Sequence, residues 1–368
     1  MSQPNTSSTA GPKWVLQFCH GHDGPFLDCA RQYAALFIGT EYKVCTVYLT
    51  GKPDDSVRSE SASDEVIFLN YTSKQIRGLK LSAISAFKKL AAQRDYAFCI
   101  AHRFKPIYIA LLGSKLPVIG VHHAFGDYQR RSRQIFANFF AKRLRLLGVS
   151  NAVRDDIRQC FPKWSAERIE TLYNRIDPQA LQNKQIDRTQ ARSQLNLPLD
   201  AYVVANVGRL HPDKDQTTLI KAFAKALPQL PEGSLLVIMG KGRLETELKL
   251  LTQRLGIEKQ VRFLGQVANG KCYFKAFDLF VLSSDHEPFG MVLLEAMAAG
   301  VPVLSSDCGG AVEVIKNRQQ RFPLADDSAC AQLIEQAQQG KIDWQESNFQ
   351  GFTDIEVKQQ FWAWIKKA

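Results

Sequence analysis

Four charged residues stand where they could handle an anionic ligand rich in hydroxyl groups. Glu287 and Glu295 lie eight residues apart in Ser283-Ser284-Asp285-His286-Glu287-Pro288-Phe289-Gly290, followed by the apolar run Met291–Ala299. Pro288 is favoured only in a first helical turn, so a helix is expected from about Phe289. Gly300 and Pro302 end it. Glu295 is the only charged residue from Met291 to Ala299. A helix that apolar is expected to be buried, and its carboxylate then needs donors from backbone or from ligand hydroxyls. Glu287 follows the apolar strand Leu279–Leu282, at the strand end where open α/β sheets bind ligands. Each glutamate alone also fits a structural role, one as a charge near a helix N-terminus and the other as a half-exposed mid-helix residue.

Arg209 and Lys214 form the second pair. Gly208-Arg209-Leu210 follows the strand Tyr202–Val207, and Lys214 precedes a helix. A planar guanidinium and a point-like ammonium beside a helix N-terminus suit two adjacent phosphoryl groups, although a solvated basic loop has the same composition. Met239-Gly240-Lys241-Gly242 ends another strand, where its glycines allow close backbone approach; G-x-G alone is weak evidence. In the first half, the run Val118–His122 ends in His122, and His123 follows it directly. Adjacent strand residues point to opposite faces, so the sequence leaves open which of them faces a ligand.

These residues need a scaffold. At 368 residues the chain has the length of two domains. With 45% hydrophobic and 23% charged residues it has an ordinary globular composition. Nothing approaches the roughly 18 apolar residues of a spanning helix. The polar stretch 1–12 is expected to be a disordered tail with no export signal, and the eight scattered cysteines, with no C-x-x-C pair, suit reduced thiols and a cytoplasmic location. Short apolar runs alternate with helical patterns: strands over Trp14–Phe18, Tyr42–Leu49, Val66–Leu69, Ala97–Ala101, Val118–His122 and Leu146–Ser150, then Tyr202–Val207, Ser234–Met239, Val261–Leu264, Leu279–Leu282 and Val301–Ser305. A basic amphipathic helix is expected over about 72–94. The pattern predicts an α/β protein of two doubly wound Rossmann-like domains facing a central cleft. The expected boundaries are 13–180 for an N-terminal domain, 181–199 for a linker and 200–353 for a C-terminal domain. A last helix, 354–368, is expected to pack on the N-terminal domain.

Taken together, the Glu287/Glu295 unit and the string Val207-Gly-Arg-Leu-His-Pro-Asp-Lys-Asp-Gln-Thr-Thr-Leu-Ile-Lys-Ala-Phe223 resemble retaining glycosyltransferases of family 4, which have the GT-B fold. Asp307-Cys308-Gly309-Gly310-Ala311-Val312-Glu313 resembles the family's glycine pair before a helix, and Gly148-Val149-Ser150 its late N-domain strand end. Tyr173-Asn174-Arg175-Ile176-Asp177 is similar to the family's Asn-Gly-x-Asp turn, with Arg175 in place of glycine. The resemblance implies Arg209 and Lys214 on a donor's diphosphate, Glu287 on the sugar hydroxyls and Glu295 on the ribose. It further implies backbone groups of Phe289 and Gly290 near donor sugar or phosphate, Gly240 near the nucleotide and His122 on the donor sugar. Gly24 would correspond to the family's first glycine loop, although here Gly21 and Gly24 are separated. Asp213-Lys214-Asp215 reads as the D-x-D metal triplet of a different glycosyltransferase fold. It falls in the Arg-Lys loop, where Asp215 is more simply a helix N-cap and protein cations replace a metal. The histidine pairs lack further ligands at metal-site spacing. No metal or other cofactor is expected.

The implied reaction is transfer of a hexose from a nucleotide-diphosphate sugar, with UDP as the nucleotide, to a saccharide, with retention. A sugar-nucleotide epimerase of the same fold, which needs no acceptor, and an exopolysaccharide or O-antigen glycosyltransferase are the alternatives. Charge bears on the acceptor. Up to Arg192, 28 lysines and arginines face 16 acidic residues, whereas beyond it 19 face 20. A basic first half implies an anionic partner. It carries no recognisable nucleic-acid motif, so a lipopolysaccharide core or another lipid-linked glycan at an anionic membrane surface is expected, on the inner face of the cytoplasmic membrane.

Overall fold

In the computed structural model, which describes residues 11–344 and 348–367, the apolar runs become two parallel sheets. Most of the expected N-terminal tail, 1–10, lies outside the described residues. The chain divides into two units. One takes residues up to Val149, Val153–Leu172 and the chain from Gln360; the other takes Ser150–Ala152 and Tyr173–Gln359.

The first unit holds β1 (Lys13–Cys19), β2 (Tyr42–Thr50), β3 (Glu65–Tyr71), β4 (Tyr96–His102), β5 (Val118–His122), β6 (Leu144–Gly148) and β7 (Ile169–Thr171). They lie in the order β3-β2-β1-β4-β5-β6-β7, all parallel. Val15, Leu16, Phe18, Val44, Val47, Ile100 and Val121 are buried whichever face of the sheet they point to. That is why these strands read as continuous apolar runs: crossover helices cover both faces. β7 was not legible, because three residues carry too little pattern. The expected helix 72–94 shortens to Leu81–Ala91. Gly78 and Lys80 both take positive φ (60° and 58°), which breaks helical propagation, and Thr72 instead closes a turn on Gln75.

The second unit holds β8 (Val203–Val207), β9 (Leu235–Met239), β10 (Val261–Gly265), β11 (Leu279–Leu282), β12 (Val303–Ser306) and β13 (Arg321–Phe322), in the order β10-β9-β8-β11-β12-β13, again parallel. Its core includes Val204, Leu219, Phe223, Leu236, Ile238, Leu279, Val281 and Ile334.

Residues 181–199, expected to be a linker, fold within this unit. The helix Arg188–Gln194 is N-capped by Asp187 and carries Arg192, whose side chain is wholly buried. Its guanidinium donates to the carbonyls of Ala276, Pro198, Leu199 and Ala201 and to Asp278. A buried cation is tolerable only with that degree of satisfaction, and none of these partners can be read from the local sequence. The unit boundary falls inside the last helix, Asp354–Lys366. In the first unit, Trp362 donates to the Leu36 carbonyl (3.1 Å), and the Arg145 guanidinium lies 3.5 Å from the Trp364 ring centroid.

Candidate functional site

Sheet order selects the loops that matter. In a doubly wound sheet, the crevice for a ligand opens at the carboxyl ends of the two strands from which the chain winds in opposite directions. In the second unit these are β8 and β11, and the loops after them are Gly208–Lys214 and Ser283–Gly290, which hold Arg209, Lys214 and Glu287.

Lys214 Nζ donates to Glu287 Oε2 at 2.5 Å, with both side chains mostly buried. Ser284 Oγ donates to the same carboxylate oxygen (3.3 Å), and the Glu287 carbonyl accepts from Gly310 N (2.7 Å). Arg209 is 70% exposed and touches Asp213 at 3.3 Å, so its guanidinium is open to an incoming anion. Asp213 also accepts from His211, while Asp215, at φ +40°, caps the helix Gln216–Ala226 through Thr218 N and Thr218 Oγ1. The two aspartates of the D-x-D triplet thus have local partners. Among the described residues, no three His, Cys, Asp or Glu side chains gather as metal ligands.

The loops are tied to one another through the main chain. Ser283 Oγ donates to the Lys214 carbonyl (2.9 Å), and Asp285 N to that of Asp213 (3.1 Å). Gly208 N donates to Met239 O (2.9 Å), and Leu210 N to Lys241 O (3.0 Å). Buried Gln216 donates to the Arg209 carbonyl (3.0 Å). The sequence explained Gly240 by approach of a nucleotide; its closest approach is to the chain itself. A Cβ on Gly240 would lie 1.9 Å from the Gly208 carbonyl oxygen, and one on Gly310 would lie 2.4 Å from that of Pro288.

Two expectations about the glutamate-bearing helix change. It starts at Met291 rather than near Phe289, with Gly290 as N-cap at φ +96°, a conformation in which an L-residue is strained. Glu295 is half-buried and has interaction partners, on a helix that packs against Pro178–Asn183 and the turn Gly270–Cys272. As a residue, Glu295 is less buried than the hydropathy of its helix predicts. The Phe289 ring is buried against Tyr173 (5.8 Å) and Phe352 (5.5 Å), so only its backbone is available to a ligand. Arg175, standing where the resemblance expects glycine, keeps an ordinary negative φ and pairs with Asp354 (3.2 Å). Asp177 still caps the next helix.

Several supporting residues escaped the sequence. Ser284, in the loop before Glu287, and Ser306, which donates to the Ser284 carbonyl from just past the expected strand Val301–Ser305, were not singled out. Cys308 sits beside Glu287; burial pushes its thiol up to about 11, so it stays neutral.

In the first unit the winding reverses between β1 and β4. Gly24 lies in the loop after β1, exposed at φ +57°, and N-caps the helix Pro25–Ala34. His122 ends β5, wholly buried, with Nδ1 2.7 Å from Asp127 Oδ2. His123 is engaged elsewhere: its Nε2 bonds His102 Nδ1 at 3.0 Å, and burial pulls its pKa down to about 3. Structure therefore separates the two histidines that the strand pattern left equivalent.

The comparisons with known proteins agree with this architecture. Residues 29–180 match the family model Glycosyltransferase Family 4, and residues 187–343 match Glycosyl transferases group 1. An uncharacterized glycosyltransferase of Methanocaldococcus jannaschii is 34% identical over 177 residues, which is 47% of this chain and 44% of that protein. The lipopolysaccharide core biosynthesis glycosyltransferase LpsE of Rhizobium meliloti is 36% identical over 147 residues, 39% of this chain and 42% of that one. The chain thus spans less than half the length of these relatives. Among solved structures, Anabaena HepE in complex with UDP and glucose superposes with a TM-score of 0.77 at 20% identity, covering 97% of this chain and 100% of that one. That likeness bears on the fold. With a family model on each half and two parallel sheets, the chain carries a Glycosyltransferase Family 4 region and a Glycosyl transferases group 1 region on a GT-B fold.

Proposed function

We propose that this chain is a retaining hexosyltransferase that takes its sugar from a nucleotide-diphosphate donor, with UDP as the nucleotide, and passes it to a saccharide acceptor. The observation that carries this is the Lys214–Glu287 pair at 2.5 Å, beside the exposed Arg209, at the strand ends where the second sheet reverses. Arg209 and Lys214 bear the diphosphate. On the second unit, Glu287 takes sugar hydroxyls, Glu295 takes the ribose, and backbone at Gly240, Phe289 and Gly290 lines the donor; on the first unit, taken by itself, the resemblance assigns His122 a sugar hydroxyl and Gly24 a place in the family's first glycine loop. The bond between the anomeric carbon and the diphosphate oxygen breaks, and its electron pair leaves with the phosphate. Fixed cations that meet this growing charge lower the barrier more than any other device of such a site. The acceptor hydroxyl forms the new bond on the same face, and its proton passes to the departing phosphate oxygen. No metal is needed in this scheme. The UDP and glucose bound by Anabaena HepE support the choice of donor.

A melting experiment tests it. UDP at a hundred times its Kd stabilises by about 2.7 kcal/mol, so UDP should raise the melting temperature, GDP and ADP should do so less, and Arg209→Ala should remove the rise. Indifference to UDP, or an inverted anomeric configuration in the NMR spectrum of the product, would sink the proposal. Isomerised sugar from donor alone would favour the epimerase instead.

For the acceptor we read a lipid-linked glycan, in keeping with the lipopolysaccharide role of LpsE. The specific observation is a face of the first unit. Ile135 and Phe139, one turn apart on the helix Arg131–Phe139, are 70% and 81% exposed; Leu79 and Leu81 are 68% and 69% exposed. The Lys80 ammonium lies 4.9 Å from the Tyr108 ring centroid, which lies 4.8 Å from that of Phe136, so these residues share one surface. Exposed Arg77, Arg131 and Lys142 belong to the same segments. Apolar tips with basic neighbours suit an anionic bilayer. Among the described residues, no helix is long and apolar enough to cross a membrane. Burying one such side chain is worth about 1.5–3 kcal/mol, so Phe139→Ser should weaken cosedimentation with anionic vesicles about tenfold or more. Equal binding to neutral vesicles at any salt concentration would count against this surface.

A further inference from the structure

Three histidines cluster at the ends of β4 and β5, and among the described residues His122 is the one that pairs directly with a carboxylate. Its Nδ1 lies 2.7 Å from Asp127 Oδ2. Arg133 Nη1 braces that aspartate, donating to its carbonyl (2.7 Å) and to Oδ1 (3.3 Å). Burial alone would push the Asp127 pKa up. The hydrogen bond and charge of His122, with the charges of Arg133 and Arg103, outweigh it and hold the carboxyl below its ordinary value. An ionised carboxylate only accepts hydrogen bonds, so the proton of a neutral His122 ring must sit on Nδ1. The lone pair is then on Nε2, which is buried and has no partner among the described residues. A buried acceptor left open by the protein requires a donor from a ligand or a water. Tyr128 packs edge-on against the ring (centroids 5.0 Å) and limits its rotation.

We propose that Asp127 is a positioning residue: it sets the His122 ring as an Nδ1–H tautomer, so that Nε2 accepts a hydroxyl proton of the donor sugar. This rests on the proposed placement of His122 against that sugar, and it adds how the ring is prepared. Asp127→Asn keeps the shape but presents an amide N–H to Nδ1. The ring proton then moves to Nε2, which becomes a donor facing the hydroxyl it formerly received.

The test uses the full chain labelled with 15N-histidine. His122→Gln identifies the His122 signals by their loss. Long-range proton–nitrogen correlations should show Nδ1 protonated in the wild type and Nε2 protonated in Asp127→Asn. UDP release from UDP-glucose should lose about a hundredfold in kcat, as expected for a misoriented contact, with little change in KM. Asp127→Glu, which keeps the carboxylate, should restore the wild-type nitrogen pattern and part of the rate. A purely structural Asp127 would lower the melting temperature without switching the tautomer. Unchanged nitrogen signals in Asp127→Asn, or switched signals at wild-type kcat, overturn the proposal. Wild-type turnover by His122→Ala would instead remove the sugar contact, and the nitrogen pattern would still decide whether Asp127 sets the tautomer.

Discussion

Lys214→Ala should lower kcat for transfer from UDP-glucose by about 10²–10³-fold, the range seen when one preorganised donor to a developing anion is lost. Two features of the site make the effect large. The ammonium is mostly buried, so its charge is less screened than a surface charge, and its loss leaves the Glu287 carboxylate, among the described residues, with the longer Ser284 contact at 3.3 Å. Lys214→Arg should rescue little, because a planar fork cannot replace a point charge 2.5 Å from one carboxylate oxygen. Glu287→Ala should fall to a similar level. If the two act as a unit, the double variant should be scarcely worse than either alone. Initial-rate measurements on the four proteins decide this. Turnover within threefold of wild type in Lys214→Ala would remove the pair from the mechanism.

Gly240→Ala should cost about 3–5 kcal/mol of stability in the second unit, combining backbone strain with overpacking. The methyl would lie 1.9 Å from the Gly208 carbonyl oxygen, in a backbone at φ +147°. Relief requires the loop after β8 to move, and that loop carries Arg209. UDP affinity should therefore fall along with stability. Gly300→Ala is the control: its φ is also positive, at +75°, but nothing lies within 4 Å of its Cβ, so backbone strain is the only cost. Urea midpoints for the two variants, with UDP titrations, measure the contrast. A Gly240→Ala midpoint equal to that of Gly300→Ala would show that the loop absorbs the methyl.

Periodicity revealed the two-sheet architecture because parallel strands buried on both faces leave continuous apolar runs such as Leu279–Leu282 and Leu235–Met239. The loops bearing Arg209, Lys214 and Glu287 were legible for the same reason: each directly follows such a run. Errors arose where the deciding contact leaves no trace in local periodicity. Arg192 looks like a linker residue until the Ala276 carbonyl and Asp278 are brought to it. Glu295 looks buried until its helix is seen to leave that side half-covered. Asp127 is five residues past His122, beyond the strand, and no periodicity links them. Gly240 was noticed as a glycine, yet the contact that demands it is with Gly208, thirty-two residues earlier.

The main-chain bonds between the loops after β8, β9 and β11 have a kinetic consequence. The carbonyls of Lys214 and Asp213 and the amides of Gly208 and Leu210 are already engaged within the protein. Donor entry therefore does not have to freeze these segments, and the conformational entropy of ordering them was spent when the chain folded. Affinity differences among donors should then appear chiefly as dissociation rates, with association rates nearly constant. Under the proposed function, side chains around the loops can vary to suit another sugar while the proposed anion grip stays fixed, which separates the evolution of specificity from that of the chemical step.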